Sequence, residues 1–490
     1  FNLRNCCMAL ILVRYGEVAI KGAGTRSRME GLLVHNILSG LRGVGVEGRV
    51  VKSQGRLFVE VPGDRVKDAV DVISRVFGVK SLSPVREYQF RELGDIVNAA
   101  VKEWGDVVRS RRFAVRVHRV GSHSFTSMDV AKAVGAALKP FSAGVDLERP
   151  DVELFIEVRG DRAYLFTEVV KGPGGLPLGS EGRLLALISG GFDSPVAAWF
   201  MMRRGSYIDA LFCSLAYPID VINFLRVSKA LFIRWSIGYD PRLFIIDCSP
   251  LISEFRARAN PHMWSVLFKR VLYVVASRVA RSIGALGIVT GESLGQVSSQ
   301  TLHNLAAIEH GIDIPIYRPL IGLDKDEIVD YARRIGTYEE SMRTEEFCAI
   351  FSEKPRTRVT SDELDREFGK LSGDLIDKLL GSMVVLRVSS VDKVVDELML
   401  GTGDVSIDHV PENAVVIDLR SRGEYEAWHY PGAINVDVDK LISTVESMGR
   451  DKVYVLYCNK GLSSRWGALE LRKLGFKAFF IDIDKLRRSL

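Results

Sequence analysis

The chain has 490 residues, a formal net charge of +5 at pH 7 and 47% hydrophobic residues. This length accommodates three or four domains, each with a core of its own. The composition is that of an ordinary soluble protein, and no apolar run is long enough to span a bilayer, which argues against a membrane-spanning protein.

Basic residues are concentrated at the front of the chain. Residues 1–179 carry 27 Lys and Arg against 20 Asp and Glu, a net charge of +7, and the remainder carries −2. A basic front end favours a polyanionic partner bound there. Surface charge scattered for solubility explains the same balance equally well.

The six cysteines are widely scattered, apart from the adjacent Cys6 and Cys7, and contain no Cys-x-x-Cys pair. This pattern argues against a zinc ribbon or a disulfide framework and fits a reducing cytoplasm. Cys213 and Cys248, at the ends of predicted strands, are interpreted as core residues. No metal site is predicted from side chains, and a cytoplasmic location is expected.

Residues 9–80 alternate between strand and helix patterns, which is typical of a small α/β unit. Strands are predicted at Ala9–Val13 and Arg56–Val61, and helices at Arg28–Gly40 and Val66–Phe77. The segment RYGEVAIKG, residues 14–22, places two cations and a carboxylate around glycine turns, and a salt-bridged structural turn explains it equally well. The start lacks a signal-peptide cleavage site, and Met8 fits a natural start, so residues 1–7 are expected to be extraneous.

The next unit, about residues 81–171, contains a basic cluster on a predicted strand. The segment FAVRVHRVG alternates, so Arg116 and His118 share one strand face and Arg119 lies opposite. A helix over Met128–Leu138 and a hairpin about Gly160-Asp161 follow. Basic residues on a strand face suit phosphate contacts, and no aromatic run suggests base stacking. This stretch resembles a THUMP domain, a tRNA-binding module, which implies tRNA contacts by Arg109, Arg111, Arg112, Arg116 and Arg119.

A glycine- and proline-rich segment, Lys171–Gly179, marks the boundary before the central domain. From there to about Thr357 strands and helices alternate, which predicts a doubly wound parallel sheet with its ligand site at the carboxyl ends of the strands. The predicted strands are Leu184–Ile188, Ile208–Cys213, Leu243–Asp247 and Gly287–Thr290. The predicted helices are Val196–Arg204, Pro218–Phe232, Met263–Ser282 and Lys325–Ile335.

The turn SGGFDS, Ser189–Ser194, follows the first of these strands, and Pro195 falls in the first turn of the next helix. Two glycines, two hydroxyls and a helix N-terminus make an anion site there. No Gly-Lys-Ser/Thr ending follows, which excludes the usual P-loop of kinases and GTPases. SGGFDS resembles the PP-loop of ATP pyrophosphatases, which activate a substrate with AMP and release pyrophosphate. An ordinary strand–turn–helix corner is the alternative.

A second loop, Thr290–Gln300, follows the predicted strand Gly287–Thr290 at the same edge of the sheet. It is long, polar and contains glycine, so it is poor core material and suits contact with a ligand.

The tail, from about Val384 to Leu490, is a further α/β unit. Its segments VVIDLR, EY, His429 and PGA, in that order over residues 415–433, resemble the rhodanese signature. A strand over Tyr454–Tyr457 then leads into the loop CNKGLSSR, which begins at Cys458.

The physics of that loop suits a persulfide carrier. Backbone N–H groups and a helix N-terminus stabilise an anionic sulfur and are expected to lower the pKa of the Cys458 thiol. A protein tyrosine phosphatase loop requires Cys-x5-Arg, and Arg465 lies one residue too far; a merely buried cysteine is the other alternative. The residues predicted for the persulfide loop are Cys458, Lys460, Gly461, Ser463 and Arg465.

Six motifs together resemble the tRNA 4-thiouridine synthetase family (ThiI-type tRNA sulfurtransferases) over nearly the whole chain: RYGEVAIKG, GPGGLPLG, SGGFDSPVA, TGESLGQVSSQT, RPLIGLDKDEI and EEFCAIF. The resemblance implies a multidomain α/β protein. Its expected parts are a ferredoxin-like unit over 1–80, a THUMP α+β unit over 81–171, a doubly wound PP-loop domain over 172–383 and a rhodanese-like domain over 384–490.

The resemblance also implies site residues. ATP is expected to contact Leu187, Ile188, Lys269, Gly291 and Gln300, with its phosphates in the PP-loop residues Ser189, Gly190, Gly191, Asp193 and Ser194. Asp193 is expected to act in activation, through Mg²⁺ and pyrophosphate. Cys348, in EEFCAIF, falls where these enzymes carry a second sulfur-handling cysteine, whereas composition alone favours a small buried hydrophobic residue.

The function implied is ATP-dependent formation of 4-thiouridine at position 8 of tRNA. ATP adenylates the uridine C4 oxygen, persulfide sulfur on Cys458 is delivered, and Cys348 helps release it by forming a disulfide with Cys458 that must then be reduced. A cysteine desulfurase or sulfide is the expected sulfur donor, with a homodimer among the assemblies considered and no membrane partner. The alternatives are a sulfur relay to thiamine thiazole synthesis and a tRNA-binding protein with degenerate catalytic domains. Members that use an iron–sulfur cluster carry grouped cysteines and lack the tail, so the persulfide route is favoured here.

Overall fold

The structure is a computed structural model that describes residues 8–53, 55–215, 219–343, 355–400, 405–458 and 462–488. It divides into two compact units. The first comprises residues up to 182 together with 201–207 and 234–239. The second comprises residues 183–200, 208–233 and 240 onward. Among the described residues, no helix has the length and apolar character needed to cross a membrane.

The first unit is built on one mixed sheet. Its strands are β1 (Met8–Tyr15), β2 (Arg49–Ser53), β3 (Arg56–Pro62), β4 (Val79–Gln89), β5 (Arg112–Val120), β6 (Gly144–Val145), β7 (Val152–Arg159), β8 (Arg162–Phe166) and β9 (Val170–Lys171). Its main helices are α1 (Ala23–Gly43), α2 (Val66–Ile73), α3 (Leu93–Trp104) and α4 (Ser127–Leu138). The strand order is β2-β3-β1-β4-β8-β7-β5-β6, and β9 also pairs with β4.

Strand β4 joins the two halves of this sheet. Its first part pairs antiparallel with β1, and its last part, Arg86 to Gln89, pairs antiparallel with β8. The half that contains β1 and β3 and the half that contains β5 and β7 each have a hydrophobic core of their own. A small third cluster, which includes Leu12, Val85 and Tyr164, takes side chains from both halves. The two halves therefore share one continuous sheet, and the predicted boundary between residues 80 and 81 falls within β4.

A buried carboxylate fixes the junction of the halves. Glu157 on β7, 3% exposed at its side chain, lies 2.9 Å from Arg56, 2.7 Å from Arg159 and 3.4 Å from Arg14. Burial raises the pKa of Glu157, but the three guanidiniums outweigh it and hold that pKa below its ordinary value. Arg14 begins the motif RYGEVAIKG, and Glu17 of the same motif pairs with Arg204 at 2.7 Å. This motif therefore forms the salt-bridged turn that its sequence allowed.

The second unit contains a six-stranded sheet. Its strands are β10 (Arg183–Leu187), β11 (Tyr207–Ser214), β12 (Arg242–Asp247), β13 (Ile288–Val289), β14 (Ile316–Tyr317) and β15 (Val384–Arg387). The helices are α5 (Asp193–Arg203), α6 (Ile219–Trp235), α7 (Pro250–Arg258), α8 (Trp264–Ser282), α9 (Leu302–Glu309), α10 (Lys325–Ile335), α11 (Tyr338–Met342), α12 (Ser361–Phe368), α13 (Leu375–Gly381) and α14 (Val391–Leu400).

The strand order β14-β13-β10-β11-β12-β15 confirms the predicted parallel-sheet core, with one difference. The pairs β10·β13, β13·β14 and β11·β12 are parallel, whereas β15 is an antiparallel edge strand on β12. Helix α5 begins at Asp193 rather than at Val196, which still leaves Pro195 in the first turn. The carboxyl ends of β10 and β13 are neighbours, so the loops that follow them meet.

The last part of the chain forms a separate four-stranded parallel sheet of order β17-β16-β18-β19. Its strands are β16 (Val415–Asp418), β17 (Ile434–Asn435), β18 (Val453–Tyr457) and β19 (Lys477–Phe480). Its helices are α15 (Arg422–Ala427), α16 (Leu441–Met448), α17 (Leu462–Lys473) and α18 (Ile483–Arg488). The predicted tail unit was expected to start at about Val384, whereas Val384–Arg387 forms β15 of the six-stranded sheet and the first strand of this sheet begins at Val415.

The structure corrects the interpretation of two cysteines. Cys248 lies in the hydrophobic core and Cys213 packs against it, as predicted. The two are joined by a disulfide with a Cα–Cα distance of 5.5 Å, so the expectation that they are not disulfide-bonded is wrong. Strands β11 and β12 are parallel neighbours, and the Cys248 N–H donates to the Ser214 carbonyl at 2.7 Å. A sequence separation of 35 concealed this adjacency, because parallel strands need a long crossover between them.

We predict that Cys213→Ser lowers the free energy of unfolding by about 2–4 kcal/mol, because the disulfide restricts the unfolded chain over the crossover between β11 and β12. Denaturant unfolding of the unreduced protein measures this. Cys248→Ser and the double variant should each match Cys213→Ser, since any one of the three removes the same bond. Equal stability of wild type and all three variants would contradict the prediction.

Candidate active site

The PP-loop turn lies between β10 and α5, and its first and last residues are joined by hydrogen bonds within the turn. The Ser194 hydroxyl accepts a hydrogen bond from the Ser189 N–H at 2.9 Å and lies 3.2 Å from the Ser189 hydroxyl. The Gly191 N–H donates to the Ser189 hydroxyl at 3.4 Å. These bonds hold a tight glycine turn at the N-terminus of α5, where the helix dipole and free N–H groups favour an anion.

Asp193, the first residue of α5, is held from two sides. Its Oδ1 lies 2.8 Å from the Lys325 ammonium, and its Oδ2 accepts a hydrogen bond from the Gln296 amide at 3.1 Å. The Lys325 ammonium also lies 5.4 Å from the centre of the Phe192 ring, which packs 5.5 Å from the Tyr338 ring. The predicted catalytic carboxylate is thereby fixed beside the turn.

The loop Thr290–Gln300 packs directly on this helix start. A Cβ added to Gly291 would lie 2.6 Å from the Ser194 nitrogen and 2.8 Å from the Asp193 carbonyl carbon, so only glycine fits there. Gln300 fixes the loop internally, because its side-chain oxygen accepts the Ser293 N–H at 3.2 Å. The structure therefore brings Gly291 and the PP-loop together and places Gln300 in the loop that packs on it.

Lys269 reaches this edge from α8. Its ammonium lies 3.1 Å from the Glu292 carboxylate, and its side chain is 27% exposed. Glu292 is buried and also accepts hydrogen bonds from Tyr273, Thr290 and Arg318. Burial raises the pKa of Glu292, but Lys269, the Tyr273 hydroxyl and Arg318 together lower it to about 2. The carboxylate is therefore charged at every working pH.

Oxygen atoms suited to a magnesium ion lie beside Asp193. The Gln296 side-chain oxygen is buried and has no hydrogen-bond partner within the described part of the chain. Carboxylate and amide oxygens are ligands that Mg²⁺ accepts, usually with several waters and the phosphates of a nucleotide. Asp193 and Gln296 thus fit an ion brought by a nucleotide. No group of three or more His, Cys, Asp or Glu side chains that could hold a metal by itself occurs among the residues searched, which are the described ones.

Cys458 follows β18 directly, at the start of the predicted persulfide loop. It is buried, and its Sγ lies 3.4 Å from the hydroxyl of the buried Ser464. The Arg465 guanidinium lies 4.7 Å from the centre of the Phe480 ring. Burial, and secondarily the charge of Arg226, lower the pKa of Arg465 below its ordinary value. Ser463, also predicted for this loop, is buried.

Three predicted residues lie outside the described residues: Cys348, Lys460 and Gly461. Leu187 ends β10, and Ile188 is buried immediately after it, next to the PP-loop. The predicted ATP-site residues from β10, α5, α8 and the loop after β13 therefore gather at one edge of the sheet. Cys458 belongs to the other sheet of the same unit.

The arginines predicted to contact tRNA lie on or beside β5, and most have acidic or carbonyl partners within the chain. The pairs are Arg109 with Asp106, Arg112 with Asp146 and Asp151, Arg116 with Glu153 and the Leu147 carbonyl, and Arg119 with the Gly121 carbonyl and His123. Arg111 is exposed. The ion pairs are exposed too and are worth only about 0–1 kcal/mol each, so a phosphate can replace the carboxylate.

Sequence reasoning missed five side chains that shape the site: Tyr273, Glu292, Gln296, Arg318 and Lys325. Glu292 and Gln296 lie in the loop already assigned to ligand contact, and Lys325 follows the helix-capping Asp324 in GLDKDE. Tyr273 carried one available signal, its spacing of four residues from Lys269 on a helix. Arg318 is the first residue of the motif RPLIGLDKDEI, to which no role in the site was given.

Comparison with known proteins identifies the family. Family models match four consecutive segments: the ThiI ferredoxin-like domain at 10–83, the THUMP domain at 88–168, Thiamine biosynthesis protein (ThiI) at 179–372 and the rhodanese-like domain at 404–484. A protein named tRNA sulfurtransferase from Pyrobaculum aerophilum is 46% identical, with 96% of each chain covered. The chain belongs to the tRNA sulfurtransferase family. Another member, from Thermoplasma volcanium, is 43% identical over 98% of each chain.

A solved structure supports this assignment to the tRNA sulfurtransferases. A 4-thiouridine synthetase in complex with RNA and bound ATP has a TM-score of 0.67 and 29% identity, covering 78% of this chain and 99% of its own. The resemblance inferred from the motifs is therefore confirmed, and so are the multidomain α/β fold class and the assignment to a sulfurtransferase enzyme that thiolates tRNA.

We predict that Gly291→Ala lowers the sulfurtransferase activity at least about tenfold, a cost of about 1.4 kcal/mol, because the new methyl group displaces the loop from the start of α5. The rate of thionucleoside formation in tRNA measures this. Gly322→Ala is the matched control, since a Cβ there meets nothing within 4 Å. Equal activity of the two variants would contradict the prediction.

Proposed function

We propose that the protein uses ATP to convert a tRNA uridine, at position 8, into 4-thiouridine. The observation that carries this proposal is the glycine turn at the N-terminus of α5, with Asp193 held beside it by Lys325 and Gln296. A second reactive centre, Cys458, lies at the end of β18 in the other sheet of the same unit. The reaction needs two such centres, because the uridine oxygen must first become a leaving group and sulfur must then replace it.

In the first step the C4 oxygen of the uridine attacks the α-phosphorus of ATP, and pyrophosphate leaves. The N–H groups of the PP-loop and the dipole of α5 bind and orient the phosphates. Lys269 and Lys325 supply positive charge on either side of the turn. Asp193 and the Gln296 oxygen would hold Mg²⁺, which acts as a Lewis acid on phosphate oxygens when bound.

In the second step sulfur replaces AMP. The terminal sulfur of a Cys458 persulfide attacks C4, and AMP leaves. Cys348 then attacks the Cys458 sulfur, which frees the thiocarbonyl and leaves a Cys348–Cys458 disulfide. An external thiol reductant supplies the two electrons that restore both thiols. The buried Ser464 hydroxyl, 3.4 Å from the Cys458 sulfur, is placed to hold the sulfur atom in its loop.

The tRNA is proposed to bind the arginine cluster of β5. Arg111, Arg112 and Arg116 offer guanidiniums that can leave weak exposed ion pairs for phosphates. We further propose the cytoplasm as the site of action and a cysteine desulfurase as the sulfur donor, whose own persulfide passes its terminal sulfur to the Cys458 thiol. Sulfide can act as the donor by attacking the Cys458 sulfur of the Cys348–Cys458 disulfide, which breaks that bond and leaves a Cys458 persulfide and a Cys348 thiolate. A homodimer stays a prediction. Relatives matched over the whole chain are named for tRNA, so tRNA is preferred to thiazole as the sulfur acceptor.

We predict that Cys458→Ala reduces persulfide-dependent 4-thiouridine formation at least about a hundredfold, because the covalent sulfur carrier is gone. Nucleosides from digested tRNA are identified by mass after incubation with ATP, magnesium and a persulfide donor. Pyrophosphate release by this variant in the first turnover should remain within about threefold of wild type, since adenylation uses the other centre. AMP should stay on the uridine, because it leaves only when sulfur replaces it.

Asp193→Ala is the complementary variant, and it should lose AMP release and 4-thiouridine together. Full 4-thiouridine formation by Cys458→Ala with the persulfide donor would contradict the relay. Release of AMP without any thionucleoside from the wild type would leave the PP-loop assignment standing and exclude tRNA uridine as the acceptor.

A further inference from the structure

We propose that Glu292 is a positioning residue that holds the Lys269 ammonium at the ATP edge, and that Tyr273 and Arg318 hold Glu292 in turn. The inference rests on the proposed function, since it takes Lys269 to contact the nucleotide. It adds three residues to the adenylation site. Glu292 and Arg318 lie in the motifs TGESLGQVSSQT and RPLIGLDKDEI but were given no individual role, and Tyr273 lies in none of the quoted motifs.

These side chains come from three separate elements that converge on one carboxylate. Lys269 and Tyr273 lie four residues apart on α8 and therefore share a face of that helix. Glu292 lies in the loop after β13, and Arg318 directly follows β14. The Thr290 N–H donates to the Tyr317 carbonyl at 3.0 Å, which keeps the ends of β13 and β14 in register.

The two oxygens of Glu292 have different partners. Oε2 accepts hydrogen bonds from Tyr273 at 2.7 Å, Arg318 at 2.8 Å and Thr290 at 3.0 Å. Oε1 accepts from Lys269 at 3.1 Å. One oxygen is therefore bound to the scaffold, and the other presents a fixed negative charge to the lysine. The carboxylate is 2% exposed and Lys269 is 27% exposed, so the lysine is the member of the cluster that is most open to a ligand.

The position of Glu292 is tied to the PP-loop through its neighbour in sequence. Gly291 packs so closely against Asp193 and Ser194 that a Cβ would collide with their backbone. Glu292, the next residue, is therefore fixed relative to the start of α5, and so is the ammonium that it holds. The distance between the Lys269 ammonium and an anion bound at the PP-loop turn is thereby fixed.

The charges of the neighbouring groups explain why the Lys269–Glu292 ion pair is stable and what replacing Glu292 does to Lys269. Glu292 has a pKa of about 2, and burial raises the pKa of Tyr273 well above 10, so the hydroxyl stays a neutral donor. Arg318 has a second acidic partner, Glu309, at 2.7 Å. Replacing Glu292 by glutamine thus leaves Arg318 with a counter-charge, whereas Lys269 loses the acidic partner that it has among the described residues. The main effect of the substitution is therefore that the Lys269 ammonium is no longer held in position.

The alternative is a purely structural cluster that ties α8 to β13 and β14. The matched pair Glu292→Gln and Glu309→Gln separates the two interpretations. Both variants remove a carboxylate from Arg318 with little change in volume, but only Glu292 contacts Lys269. The measurement is the KM for ATP and the kcat of tRNA-dependent AMP release, between pH 6 and 8, with a thermal melt of each variant.

We expect Glu292→Gln to raise the KM for ATP about tenfold at every pH in this range and Glu309→Gln to leave it within about twofold. The double variant Glu292→Gln, Lys269→Gln should be no worse than Lys269→Gln alone, because both changes remove one interaction. A folded Glu292→Gln protein with a KM within about twofold of wild type overturns the proposal. So does an equal rise in KM for Glu292→Gln and Glu309→Gln.

Three further outcomes are distinguished by the same measurements. If Glu292→Gln does not fold, Tyr273→Phe, which removes one scaffold bond, should raise the KM for ATP about threefold, and no rise overturns the proposal. If Lys269→Gln leaves the KM unchanged, this inference fails and adenylation stands. If the wild type releases no AMP with tRNA and a persulfide donor, the proposed function itself fails.

Discussion

The contact between Gly291 and the first residues of α5 is the interaction on which the adenylation site depends. It exists because β10 and β13 are parallel neighbours, so the loops after them meet at one edge of the sheet. The missing Cβ lets two backbones approach closely enough that Gln296 reaches Asp193 and Glu292 reaches Lys269. A glycine turn at a helix N-terminus becomes a reactive site only when such neighbours fix the charges around it.

Buried carboxylates with several cationic partners recur in this protein. Glu157 joins the two halves of the first sheet, and Glu292 joins three elements of the second unit. Each stays ionised in a buried place because more than one positive group offsets the cost of desolvation. Because several partners hold such a carboxylate, its side chain has one fixed orientation and can position the cationic groups that contact it. In the first unit the result is a rigid junction, and in the second it is a lysine held at a fixed point.

The parts of the fold that the sequence predicted are those with strong local signals. The helix Lys325–Ile335 agrees to the residue, since Asp324 and Glu327 form a capping box and Gly336 ends the helix. The PP-loop was visible as a buried strand, a glycine turn and a helix start. The Cys213–Cys248 bond and the Glu292 cluster were not, because both join residues that only the order of the strands brings together. The acidic partners of Arg112 and Arg116 were hidden for the same reason, whereas Asp106 lies only three residues from its partner Arg109.

The most direct test of the account follows one oxygen atom. A tRNA labelled with a heavy oxygen isotope at C4 of the target uridine is incubated with ATP, magnesium and a persulfide donor. The mass of the released AMP is then measured by mass spectrometry. Activation of that oxygen at the PP-loop predicts that AMP carries the heavy oxygen in step with 4-thiouridine formation. AMP without the heavy oxygen, formed alongside 4-thiouridine, would contradict the account, since sulfur would then enter without adenylation of the uridine.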